Sequence, residues 1–333
     1  MDEKSRFKRI MYRETGLRHI ERGKTCEDNV FSYTAKDGVT SISLSDGAGS
    51  YKYAEIGSKI SSEIAATFMA EKFNRLYELD KDTITEYILH EVLIHIKEVA
   101  TEKNVELIQF SATLLCVAIH PDGRYLIVHI GDGAIVGLNN NNECEVVSIY
   151  DHDGPVNQAT FVTIPETDAF VKKGKREYTS FVLMSDGPED LLVNELGANP
   201  RVRLMQQMAF FLDEEAMKRQ FQSLIKLLVD NGMDDDASFA IICDMKRLSD
   251  LLVMLTPEFR KVLFSLEKDL SDNKKKRSRL VLDIIAEAPN GITLRDLTRK
   301  MYVHSKRIAK KKIEFLYTMG LIKQENGRIF ISI

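Results

Sequence analysis

From Lys52 to Lys103 the apolar residues recur at three- and four-residue intervals; from Ala112 to Cys243 they gather in short runs closed by turn residues. The first pattern predicts helices, the second largely strands. Ile56, Ile60, Ile64, Phe68 and Phe73 predict one long helix over Lys52–Leu79. Ile84, Ile88, Leu89, Val92 and Ile96 predict a second over Thr83–Lys103, with Asp82 in the N-cap position. Strands are predicted at Ala112–Ile119 and Tyr125–Ile130, joined through the Pro121-Asp122-Gly123 turn, and at Ala134–Leu138, Cys144–Ile149, Phe181–Met184 and Ser238–Cys243. Helical segments fit near Glu189–Asn194 and Glu214–Val229. Hairpin-paired strands with helix pairs between them give an α+β domain of antiparallel sheets covered by helices, closing near Lys246.

After residue 247 the pattern changes. Residues 248–275 read as a connecting helical segment. From Arg279 the order is a short helix, a Pro289-Asn-Gly turn, a helix over Leu294–Lys300, a helix over Ser305–Met319 and a hairpin turning at Asn326-Gly327. Three helices and a hairpin make a winged helix-turn-helix, so the expected domains are 1–247, 248–275 and 276–333. Ser271–Ile333 carries fifteen Lys or Arg against six Asp or Glu, while the rest of the chain is net acidic. Lys306, Arg307, Lys310 and Lys311 lie largely opposite Ile308, Phe315, Leu316 and Met319 on the predicted third helix. Such a face suits a DNA backbone and equally an acidic protein partner. Gly291–Leu297 and Leu316–Ile322 resemble the matching segments of bacterial winged-helix regulators.

The 333 residues are 44% hydrophobic, enough for a sizeable core. The charged start and the lack of any long apolar run predict a cytoplasmic protein that makes no membrane contact. Cys26, Cys116, Cys144 and Cys243 lack paired spacing and are expected as reduced thiols. The seven histidines show no metal-ligand spacing and are expected to be structural or on the surface.

Three Asp-Gly pairs close apolar runs directly: Ser41–Gly47, Leu126–Gly133 and Phe181–Gly187. Asp-Gly is first a turn dipeptide, and Asp37-Gly38, Asp122-Gly123 and Asp153-Gly154 are read as turns only. Asp46, Asp132 and Asp186 differ because each follows a strand, which sets its carboxylate at the rim of a sheet. Glu27-Asp28-Asn29 and Asp234-Asp235-Asp236 add acids beside other strand-like runs. An inventory of carboxylates without clustered histidines suits Mg²⁺ or Mn²⁺, and two such ions can activate water against a phosphoryl group.

The ordered set resembles the metal-dependent protein phosphatase 2C (PPM) family, and Asp46-Gly-Ala-Gly-Ser50 is similar to its bacterial branch. The matching motifs are Glu27-Asp28-Asn29, Asp46-Gly47-Ala48-Gly49, Ser111-Ala-Thr113, Gly131-Asp132-Gly133, Ser185-Asp186-Gly187 and Asp235-Asp236-Ala-Ser238. They span roughly residues 12–246. The resemblance implies a four-layer α-β-β-α sandwich and hydrolysis of phosphoserine or phosphothreonine in a phosphorylated protein substrate. It implies two Mn²⁺ or Mg²⁺ ions, with Asp46 bridging them and the Gly47 carbonyl on one. Asp186 and Asp235 would hold the other, and Glu27 and Asp28 would act through metal-bound water. Asp28 and Asp46 would thus be catalytic, and Asp132 would hold a third, weaker ion. The register within Asp234–Asp236 stays open by one residue.

Two positions depart from the family. Ala48 stands where many members carry a histidine that can protonate the leaving group. The position of the phosphate-holding arginine is Gly23 here; the neighbouring Arg22 is the expected substitute, with Arg18 further back. The alternative is a non-catalytic or weakly catalytic sensor domain controlling a DNA-binding regulator.

Overall fold

A computed structural model of the protein describes residues 6–149, 160–164, 167–194, 196–247, 291–300, 322–325 and 327–331, with Leu251, Ile284, Ala288 and Ile313. All but Ile313 of the predicted Ser305–Met319 helix, all but Leu251 of the connecting segment and the Asp153-Gly154 turn lie outside the described residues. The chain divides into two compact units: Met1–Gln206 with Lys218–Cys243, and Gln207–Met217 with Asp244–Ile333.

In the first unit, β2 (Asn29–Thr34), β3 (Thr40–Ser45), β4 (Leu114–Ile119), β5 (Arg124–Ile130) and β8 (Phe170–Lys175) form one antiparallel sheet in that order. A second runs β1 (Phe7–Glu14), β12 (Ala237–Asp244), β9 (Tyr178–Met184), β6 (Ala134–Asn139), β7 (Cys144–Ile149). Ile42, Leu44, Leu115, Val117 and Ile127 of the first sheet share one core with Ile135, Phe181, Leu183, Ala240 and Ile242 of the second. Each of these side chains except Ala240 contributes roughly 1.5–3 kcal/mol by leaving water.

The helices cover the outer faces. Ala65 and Met69 of α2 (Ala54–Glu71) and Ile84, Ile88, Val92 and Ile96 of α4 (Lys81–Lys103) pack with Cys116, Ala118, Leu126 and Val128 of the first sheet. Behind the second sheet, Gln206 of α6 (Pro200–Phe211) donates to the Val136 carbonyl at 3.2 Å. Phe221 of α7 (Glu214–Asp230) stacks on Tyr12 and Phe239, with ring centroids 5.1 and 5.0 Å away. Helix, sheet, sheet and helix make the four expected layers.

Local differences have local causes. The single helix expected over Lys52–Leu79 breaks at Lys72, and α3 (Phe73–Glu78) sets Phe73 against the His120 ring. The cap of α4 is Asp80, not Asp82: its carboxylate accepts the Thr83 amide at 2.9 Å and the Thr83 hydroxyl at 2.8 Å. α5 (Asp186–Leu192) begins earlier than expected, on Asp186 itself. A small hairpin, β10 (Val193–Asn194) with β11 (Gly197–Ala198), follows it. The Asp37-Gly38 and Asp122-Gly123 pairs are turns, each glycine having positive φ. All four cysteines are free, and no helix among the described residues is long and apolar enough to cross a membrane.

In the second unit, β13 (Ile292–Thr293), β15 (Arg328–Ile331) and β14 (Ile322–Glu325) form a three-stranded antiparallel sheet. Gly327, with φ 73°, turns the expected hairpin. The helix expected at Leu294–Lys300 is present as α8; the Thr293 hydroxyl accepts the Asp296 amide at 3.2 Å and caps it.

Candidate active site

Asp46 leaves the end of β3 and is held through its backbone. Its amide donates to the Thr113 hydroxyl at 3.0 Å, and its carbonyl accepts the Thr113 amide at 2.8 Å. A Cβ on the next residue, Gly47, would lie 2.8 Å from the carbonyl oxygens of Glu27 and Ala54, so only glycine lets these backbones meet. Asp186 leaves the end of β9, which is tied to β12 by the Ser238 amide on the Ser185 hydroxyl at 3.0 Å. Asp132 sits in the β5–β6 turn between Gly131 and Gly133, both left-handed. His129 holds that turn. Burial lowers its pKa to about 4, so the ring is neutral. Nε2 donates to the Asp132 carbonyl at 3.1 Å, leaving Nδ1 to accept the Ser148 hydroxyl at 2.7 Å.

These strand ends collect charge. Asp28, fully buried just before β2, is pushed up to about 7 by burial, helped by Asp236 and Asp186. Asp46 is raised well above the carboxylate range by burial, then by Asp28, Asp186 and Asp132. Burial also raises Asp186, opposed by the neighbouring Asp46 carboxyl and helped by Asp235. Asp132 rises to about 7 by burial and Asp186. Glu189 rises to about 7 by burial, Asp190, Asp186 and Asp132. Neither carboxylate oxygen of Asp28 meets a hydrogen-bond partner, nor does Oδ1 of Asp132. Glu189 and Asp190 were not singled out from the sequence, although three- and four-residue steps from Asp186 put them on its side of α5.

Asp235 and Asp236, both within reach of this group, part company. Asp235 adds to the charge felt by Asp186 and Asp132, and its carboxylate meets the Arg18 guanidinium. Asp236 is 3% exposed and turned inward. It accepts the amides of Gly16 and Glu27, both at 2.7 Å. His19, expected to stand alone, is instead buried in α1 (Leu17–Glu21) between acids: Nδ1 is 2.9 Å from Asp236 and Nε2 3.6 Å from Glu27. Lys24 lies 3.0 Å from the other Glu27 oxygen. Arg22 is exposed; among the two arginines weighed for phosphate, Arg18 is the one on a carboxylate of this group.

A family model for protein phosphatase 2C matches residues 15–226. The chain belongs to the protein phosphatase 2C family. It is thereby an enzyme, a phosphatase acting on phosphoprotein. Among solved structures, the serine/threonine phosphatase Stp1 from Staphylococcus aureus is 17% identical, with a TM-score of 0.51 over 71% of this chain and 94% of its own. The S. agalactiae serine/threonine phosphatase gives 17% and 0.50 over 71% and 99%, and the Mycobacterium tuberculosis PstP/Ppp 16% and 0.50 over 71% and 98%. At these identities the likeness is one of fold. No curated protein matches the chain.

Within this protein phosphatase 2C domain, the donor set fits hard dications. It consists of carboxylates that raise one another's pKa, several with buried oxygens that no protein group satisfies. Oxygen donors in surplus negative charge are what Mg²⁺ and Mn²⁺ take.

Proposed function

We propose that region 1–247 is a Mg²⁺- or Mn²⁺-dependent protein serine/threonine phosphatase domain. The observation that supports this most is the convergence of Asp28, Asp46, Asp132 and Asp186 from four separate strand ends into one unneutralised carboxylate group. Asp46, the Gly47 carbonyl, Asp186 and Asp235 would hold two ions, Glu27 and Asp28 the water around them, and Asp132 a third ion. Bound there, such ions supply an activated water and neutralise charge on the phosphoryl oxygens. The chain's own groups do the rest. Thr113 fixes the Asp46 backbone, and Arg13, donating to the Asp28 carbonyl at 2.7 Å, fixes Asp28. Arg18, 43% exposed, offers a planar fork for phosphate in place of Arg22. Ala48 offers no proton, so the serine or threonine leaving oxygen takes its proton from water. The retained carboxylates favour this over a non-catalytic sensor. Release of phosphate from a phosphothreonine peptide, with and without Mn²⁺ and in Asp46→Asn, tests it.

A second reading concerns residues 276–333, proposed as a winged-helix module for DNA or an acidic protein. The joining of β13 to the β14–β15 hairpin in one sheet supports it. Retention of the full chain on DNA should fall steeply with salt; salt-independent retention would refute phosphate contacts.

A further inference from the structure

α1 and the turn behind it carry three bases, each against a different acid: Arg18 on Asp235, His19 on Asp236 and Lys24 on Glu27. Of the three acids, Glu27 is the one that faces two of these bases. Lys24 Nζ is 3.0 Å from Oε1 and 3.1 Å from the Gly49 carbonyl, which anchors the lysine to the loop after Asp46. His19 Nε2 faces Oε2 at 3.6 Å, and that oxygen is buried without a hydrogen bond. On its far edge the imidazole Nδ1 lies 2.9 Å from Asp236, buried and likewise without a hydrogen bond. Asp236 in turn accepts the Glu27 amide at 2.7 Å. The backbone and side chain of Glu27 therefore depend on the same carboxylate–imidazole unit.

A glutamate side chain has several free torsions, and an acid that serves a metal through water works only in a fixed orientation. Groups behind such an acid set that orientation. We propose that His19 and Lys24 are positioning residues for Glu27, locking its carboxylate toward the metal-bound water; this rests on the metal reading above. A separate metal site on His19, Asp235 and Asp236 competes for these side chains, whose ligand atoms lie within 4.8 Å of one another. Asp235 is already assigned to the carboxylate group proposed above, and two backbone amides already hold Asp236.

The test is Mn²⁺ affinity by titration calorimetry on the full chain, with melting temperatures alongside. His19→Phe keeps the ring volume and removes both nitrogens; Lys24→Met keeps the stem and removes the charge. Each should weaken Mn²⁺ binding about tenfold with little change in melting. His19→Gln, whose amide reaches the Nε2 position, should recover most of the loss. In a Glu27→Gln background neither His19→Phe nor Lys24→Met should weaken binding further. Unchanged affinity in the single variants, or equal losses in both backgrounds, overturns the proposal. If His19→Phe does not fold, Lys24→Met, at a site 37% exposed, completes the same cycle. A native chain that binds no Mn²⁺ overturns the metal reading itself and this inference with it, whereas binding without coupling to Glu27 overturns the inference alone.

Discussion

Asp46 and Asp186 follow strands of opposite sheets, β3 and β9, and the Asp186 carboxylate helps burial raise the pKa of Asp46. The two sheets are thus joined at this rim by groups that repel each other once both ionise. Burial makes the repulsion costly, and a dication removes it.

Asp46→Asn should separate stability from function. In metal-free protein near pH 8 the variant lacks a charge that burial, Asp28, Asp186 and Asp132 all disfavour, so it should melt above the native chain. Each kcal/mol relieved corresponds to about 2–4 °C. In saturating Mn²⁺ the order should invert, because only the native chain gains the binding free energy. Calorimetric melting in EDTA and in Mn²⁺ checks both signs.

The pH dependence of stability follows from Asp28, Asp132 and Glu189, each near 7 in the fold against ordinary values of 3.8, 3.8 and 4.5. Between about pH 4 and 7 the folded state keeps protons that the unfolded chain releases. Their stabilising contribution is complete at the acid end and lost as pH rises through 7. The melting temperature of metal-free protein should fall from pH 5 to pH 8, and Mn²⁺ should raise it more at pH 8 than at pH 5. A rise over that range without metal would contradict the assignment.

Gly16→Ala should damage the site without touching a carboxylate. The added Cβ would stand 2.2 Å from the Asp235 carbonyl carbon, and the Gly16 amide holds Asp236. Overpacking of this kind costs about 1–3 kcal/mol. Denaturant unfolding should show that loss together with weaker Mn²⁺ binding.

Arg18 and Arg22 should separate in kinetics. Arg18→Ala should lower kcat/KM on a phosphothreonine peptide about tenfold or more, the scale of a lost charge-assisted contact. Arg22→Ala, at an exposed position, should stay within about twofold. The reverse ranking would return the phosphate role to Arg22.

Most of the core was legible in sequence because its strands are continuous apolar runs: Leu114–Ile119 and Tyr178–Met184 could hardly be anything else. The edges were not. β1 and β8 carry Lys and Arg where one side meets solvent, the usual protection of an edge strand, and that erases the alternation. In the carboxylate group, Asp46, Asp132 and Asp186 were visible because an Asp-Gly pair closes each apolar run directly. His19 was not, since its partners Glu27 and Asp236 are brought to it by the fold and not by local spacing. Asp235 and Asp236 are neighbours in sequence, and only backbone direction gives one to the rim and the other to the interior.

This carboxylate group is expected to work as a metal-dependent phosphatase site. Phosphate release from a phosphothreonine peptide, followed across a Mn²⁺ titration for the native chain and Asp46→Asn, tests it most directly. Saturable release that requires Mn²⁺ and disappears in Asp46→Asn is the predicted result. Release that continues in EDTA, or that survives in Asp46→Asn at the native rate, would contradict it.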